Sequence, residues 1–189
     1  KNSQTKIDTS LSFSRLNFKN SVDKADDEAG ANTNGNFSKI NIDIENNTLL
    51  NEKINWKNKL QLQYALGNKN LDGSEDMSLG GINGVKVYPS GEESAENGYI
   101  YSTELTYTLP TFQNLNSKIG IFYDVGRVYM SRNITNEKSR TLQDIGLSYS
   151  ASYKSFFMNT HLAHKLGAAK VTSRDDYNTR FMFQLGMTF

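Results

Sequence analysis

The 189-residue chain has no cysteine, two prolines, one tryptophan and no apolar run long enough to cross a membrane as a helix. The missing cysteine excludes disulfide frameworks, thiolate metal sites and thiol nucleophiles, and it is compatible with an oxidising cell envelope. A spanning helix needs roughly 18 or more consecutive apolar residues, so helical insertion is excluded. A formal charge of +1, from 21 basic and 20 acidic residues, supplies no field for nucleic acid. The first residues, Lys1-Asn2-Ser3-Gln4-Thr5, lack the charged-then-apolar pattern of a signal peptide. An exported protein with this start is expected to be a mature chain or an excised piece.

What the chain does have is period-two alternation. Only 37% of residues are hydrophobic and the mean hydropathy is negative, which is low for a large dry core. A transmembrane barrel escapes that objection because only alternate residues face lipid. Ile54, Trp56, Leu60, Leu62, Tyr64 and Leu66 share one parity and Lys57, Lys59, Gln61 and Gln63 the other. Tyr99, Tyr101, Leu105 and Tyr107 oppose Ser102, Glu104 and Thr106 in the same way, and Ile119, Ile121, Tyr123 and Val125 oppose Phe122, Asp124 and Gly126. Similar runs end at Tyr153, at Leu166 and at Phe189, and two weaker ones cover Ile7 to Phe18 and Phe37 to Asn46. The total is about eight strands, most as long as the roughly 9–11 residues that span a bilayer when tilted. Small and polar residues on the inner parity, such as Ser148, Asn159 and Gln184, fit a hydrated lumen. The soluble alternative, a β-sandwich, would turn every ~8–12 residues with more glycine and proline.

Connection lengths alternate too. Those near 46–53, 111–117 and 154–155 are short, whereas 19–35, 67–98, 131–141 and 168–176 are longer and polar. This is the pattern of periplasmic turns and extracellular loops, with tyrosines near strand ends, Tyr177 among them, as candidates for interfacial girdles. The fold expected is therefore all-β: an antiparallel transmembrane β-barrel in a bacterial outer membrane, forming one domain over residues 1–189.

Three segments carry chemistry. The first is Leu79-Gly80-Gly81-Ile82-Asn83-Gly84-Val85-Lys86-Val87-Tyr88, the second Glu104 in its tyrosine-rich run, the third Phe122-Tyr123-Asp124-Val125-Gly126. Asp124 has lumen parity, where a cation carried on an inward-folding loop would supply a partner. Gly126 leaves room for a backbone to approach. With these residues in view, the chain resembles the C-terminal barrel half of the haemolysin secretion/activation proteins. These are the outer-membrane transporters of two-partner secretion, in the superfamily that includes the barrel-assembly protein BamA.

The resemblance implies that a long loop, here 67–98, folds back into the pore. A Val-Arg-Gly-Tyr motif on it pairs with the aspartate of a Phe-x-Asp-x-Gly strand motif. Val85, Lys86, Val87 and Tyr88 align with the first, and Phe122, Asp124 and Gly126 match the second. Glu104 stands where the family carries a lumen-facing glutamate. Terminal Phe189 is implied as the insertion signal read by the barrel-assembly machinery. The family's barrel has sixteen strands preceded by POTRA domains, which are absent from this chain. Two departures stand out. Lysine lacks the two-pronged contact of arginine, and Val87 replaces a glycine that the turn would favour, so either looser docking or another conformation of the tip is expected.

An eight-stranded barrel closed on itself is filled by its own side chains, leaving no room for a loop of this length. The chain is expected to be half of a larger barrel, or to close by self-association of two halves. The function implied is a pore that secretes a partner exoprotein of haemolysin or adhesin type, in contact with outer-membrane lipids. The alternatives are a small structural or adhesive barrel and a BamA-like assembly factor, and neither a structural nor an adhesive barrel needs the paired motifs. No enzyme, catalytic residue, cofactor or nucleic-acid partner is expected, and the histidines His161 and His164 have opposite parity and no serine set at a telling distance. The acidic clusters Asp72/Glu75/Asp76 and Asp23/Asp26/Asp27/Glu28 lack the positions of a calcium loop, so no metal is assigned.

Overall fold

Alternation gives every strand one apolar and one polar face, and strands of that kind pair here in the order in which they leave the chain. The computed structural model describes residues 2–132 and 139–188. Its strands are β1 (Asn2–Leu16), β2 (Gly35–Leu49), β3 (Ile54–Ala65), the short β4 (Met77–Ser78) and β5 (Ser94–Ala95), β6 (Asn97–Thr108), β7 (Leu115–Tyr129), β8 (Arg140–Tyr153), β9 (Phe156–Leu166) and β10 (Thr179–Met187). Eight of them form one antiparallel meander, β1-β2-β3-β6-β7-β8-β9-β10, while β4 and β5 pair with each other. Among the described residues β1 and β10 are edges that do not meet, so the sheet is open.

Tight turns close one end. Asn51 Oδ1 accepts from the N–H groups of Lys53 and Ile54 at 2.9 and 2.8 Å. Lys154 adopts a left-handed φ of 52° in the two-residue link from β8 to β9. The opposite end carries the long connections. One of them, expected to be a loop over 19–35, contains a helix, α1 (Ser21–Ala29). Asn20 caps it through Val22 N–H at 2.9 Å. Its Asp27 turns inward, accepting from Thr33 and from Asn34 N–H, so this acid is spent on holding the connection together.

The odd-numbered face of β6 and β7 exposes Leu105, Ile119 and Ile121, and the sheet continues it with Leu147, Leu162, Phe181 and Phe183. Water-facing surfaces do not carry so broad an apolar patch. On this face the Trp56 Nε1–H donates to Thr103 Oγ1 at 2.8 Å, the pairing that lipid requires of an indole.

The inner face divides in two. Over β1–β3 it is polar and accessible, as a hydrated lumen demands. Over the part of β6–β9 next to the long connections it is dry, because Leu79, Val85, Val87, Tyr88 and Ala95 from the β3–β6 connection pack on Ile100, Phe122, Val128, Leu142 and Ala163. Each buried aliphatic side chain of this kind stabilises by about 1.5–3 kcal/mol. The sheet's only apolar core among the described residues is thus the seat of one inserted segment. Tyr177, expected in a girdle, packs against that core instead. Phe189 lies outside the described residues.

Candidate functional site

The inserted segment is a stem and a tip. The β4–β5 pair makes the stem, and Leu79 N–H donates to Glu93 O at 2.9 Å just beyond it. The tip folds on itself through Val85 N–H to Leu79 O at 2.8 Å and Gly81 N–H to Tyr88 O at 3.0 Å. Glycine is needed where the legs touch: a Cβ on Gly80 would sit 1.8 Å from Pro89 O, and one on Gly84 2.0 Å from Leu79 O. These contacts turn Val85, Lys86, Val87 and Tyr88 onto the wall, with Val85, Val87 and Tyr88 fully buried.

Four strands or connections hold that turn. Lys86 Nζ donates to Asp124 Oδ2 of β7 at 2.7 Å, and Asp124 is fully buried. The ammonium also lies over the Phe122 ring, 4.5 Å from its centroid, a cation–π contact that a desolvated site strengthens. Val87 N–H donates to Asp144 Oδ2 of β8 at 2.6 Å. Tyr88 Oη–H donates to Ala169 O, in the β9–β10 connection, at 2.8 Å. From β10, one guanidinium nitrogen of Arg180 donates to the carbonyls of Lys86 and Tyr88, at 3.2 and 2.7 Å.

The glycines of the strands make space for this packing. A Cβ on Gly126 would meet Leu79 Cδ2 at 2.8 Å, so Gly126 receives a side chain of the tip where a backbone approach was expected. Gly146 does the same for Phe122, whose ring atom would lie 2.3 Å from an added Cβ. Val87 does not have the positive φ that favours glycine. The turn is therefore not strained by valine, and the segment gains a buried isopropyl group and two carboxylate anchors.

Glu104 is half-buried beside the tip and accepts from Ser148 Oγ–H at 2.5 Å. With Glu45, Lys57, Lys59 and Lys86 it lines a polar cavity of about 160 Å³ between the tip and the wall. His161 packs edge-on against Phe122, with ring centroids 5.9 Å apart. Ser148 and His161 are cross-strand neighbours, but the serine hydroxyl donates to Glu104 and not to the histidine.

Sequence reasoning missed Asp144 and Arg180. Asp144 carried a signal, an acid on lumen parity in register with Asp124. Arg180 carried none, being 94 residues from the carbonyl of Lys86.

An open antiparallel sheet with a lipid-compatible outer face and a segment latched on its inner face defines a class: an outer-membrane barrel protein whose lumen holds a docked loop. Comparison with known proteins gives the family. The family "Haemolysin secretion/activation protein ShlB/FhaC/HecB" matches residues 2–153, and the chain belongs to it. The heme/hemopexin transporter protein HuxB of Haemophilus influenzae is 27% identical over 136 residues, which is 69% of this chain and 24% of that protein. The HuxB of strain 86-028NP is 26% identical over 137 residues, with the same coverage. The solved structure of CdiB from Escherichia coli superimposes with a TM-score of 0.72 at 16% identity, over 85% of this chain and 29% of that one. The last comparison speaks for the fold alone. The chain spans about a quarter of the length of the curated relatives it matches.

Proposed function

We propose that this chain is the C-terminal half of an outer-membrane pore that secretes a partner exoprotein, with the segment 67–98 as its internal gate. One observation carries the reading: the segment is seated on the lumen face by Lys86 on buried Asp124. A merely structural barrel has no use for a long polar segment anchored in its interior. Membership of a family described as haemolysin secretion/activation proteins supports export of a protein cargo, of haemolysin or adhesin type. The energy would come from the partner folding outside, because nothing in the site addresses a nucleotide.

The open edges of β1 and β10 support completion by a further half, giving sixteen strands, either from the same polypeptide or by self-association of two copies. Phe189 would serve the barrel-assembly machinery as an insertion signal, and the exposed outer face would meet lipid. The test is ion conductance of the detergent-refolded chain in a planar bilayer, with its stoichiometry read by native mass spectrometry. Wide, flickering channels from a dimer support closure by two halves. Silence from a refolded monomer, together with unimpaired secretion by a longer parent carrying Lys86→Glu, would overturn the gate reading.

A further inference from the structure

Beyond the tip, the inserted segment carries a buried carboxylate of its own. The Glu92 side chain is 0% exposed. Its Oε1 accepts from Arg140 Nη2–H at 3.0 Å, from Thr172 N–H at 2.6 Å and from Thr172 Oγ1–H at 2.9 Å. Its Oε2 accepts from Ser173 N–H at 3.3 Å and Ser173 Oγ–H at 2.7 Å. Arg140 also reaches Glu93 Oε2 at 2.8 Å and the carbonyl of Lys170. Burial disfavours the charged carboxylate, but these donors outweigh it and hold the group down at about 2.

Both oxygens of Glu92 are thus saturated by donors from β8 and from the β9–β10 connection. The contrast with the tip is informative, since Asp124 and Asp144 each leave Oδ1 without a protein partner. A buried carboxylate is tolerated only when its hydrogen bonds are made, and here the bonds tie the base of the segment to the connection that Tyr88 of the tip reaches through Ala169 O.

We propose that Glu92 is a positioning residue that fixes the base of the inserted segment to the β9–β10 connection, so that release of Lys86 from Asp124 frees the tip alone. Full withdrawal of the segment then requires the Glu92 bonds to break as well. The gating role rests on the transporter reading, whereas the anchoring does not.

The chain has no native cysteine, so reporters can be placed singly. Val85→Cys, fully buried in the docked tip, reports the tip, and Ala95→Cys, buried at 4% exposure, reports the base. Refolded protein is labelled with a water-soluble maleimide while circular dichroism follows the sheet. Lys86→Ala is expected to speed labelling at the tip and leave the base within about twofold of the parent. Glu92→Gln is expected to speed labelling of the base at least tenfold with the sheet intact, a split that general destabilisation would not give. The pair Thr172→Val and Ser173→Ala removes the same bonds from the other side and should match it. Adding these to Glu92→Gln should bring no further increase. Base labelling unchanged in both variants, or an equal rise in Lys86→Ala, overturns the proposal, as does loss of the sheet in both. If base labelling rises in Glu92→Gln while parent and variant are both silent in planar bilayers, the anchor stands and the pore reading fails.

Discussion

Asp124 and Asp144 stand directly opposite each other on β7 and β8, both fully buried, and grip successive residues of one turn. Asp124 takes the Lys86 ammonium at 2.7 Å and Asp144 the Val87 N–H at 2.6 Å. Two acids therefore share one counter-charge, and their second oxygens have no protein partner. The two carboxyl groups are not equivalent: one must be charged to hold the lysine, whereas the other needs only an acceptor oxygen for an N–H.

The first prediction separates them. Asp124→Asn leaves Lys86 without its anion, and breaking a buried pair in this way costs about 3–5 kcal/mol. Tip labelling at the buried Val85→Cys should rise by two orders of magnitude or more. Asp144→Asn keeps an acceptor for Val87 N–H and removes the like-charge neighbour, so labelling should stay level or slow. Equal loosening in the two variants would show that Asp144 works as a charge.

This asymmetry also shows where the sequence stops being informative. Strand order was legible because lipid and lumen impose a strict period of two, as in Ile119, Ile121 and Tyr123 against Phe122 and Asp124. The dry half of the lumen was not. Ile100, Val128 and Leu142 share the parity of Ser102, Asp124 and Asp144, and alternation alone does not say which inner stretch an inserted segment covers. Helix α1 escaped because nine mostly polar residues offer only Val22, Ala25 and Ala29 as an apolar face, and its local signals, Asn20 as a cap and Asp23 in the first turn, are short-range. The juxtaposition of Lys86 with Asp124 was suggested by family likeness, while Glu92 and Arg180 depend on contacts across tens of residues that no local pattern encodes.

The second prediction concerns Lys86→Arg. A planar guanidinium can present separate N–H groups to Asp124 and Asp144 and stack on the Phe122 ring, which an ammonium cannot do. Tip labelling should slow by at least threefold. Faster labelling would mean that the cavity of about 160 Å³ beside Lys86 does not admit the larger group.

The third prediction is that Val87→Gly loosens the tip. Val87 is fully buried and lacks a positive φ, so glycine relieves no strain there. Its loss removes about 1.5–3 kcal/mol of burial, and glycine adds about 0.5–1 kcal/mol of backbone entropy cost. Tip labelling should rise at least tenfold. A decrease would reveal strain at this position.

The last prediction is a pH window for the base of the segment. Glu92 is held at about 2 against an ordinary 4.5, so the folded, docked form binds its proton less readily than the free chain does. The stabilisation from this group is therefore complete above the ordinary value and falls away as pH drops toward about 2. Base labelling through Ala95→Cys, read with a reagent that reacts in acid such as a methanethiosulfonate and normalised to an unfolded control, should not rise between pH 7 and pH 5, where Asp76, pushed up to about 6 by burial and by Glu96, takes up a proton and adds stability. It should then rise progressively as pH falls below about 4.5, and in Glu92→Gln this acid-dependent increment should be missing. A rise already complete by pH 5 would mean that the Glu92 carboxylate is protonated far more easily than its five donors imply, and that the anchor depends on some other group.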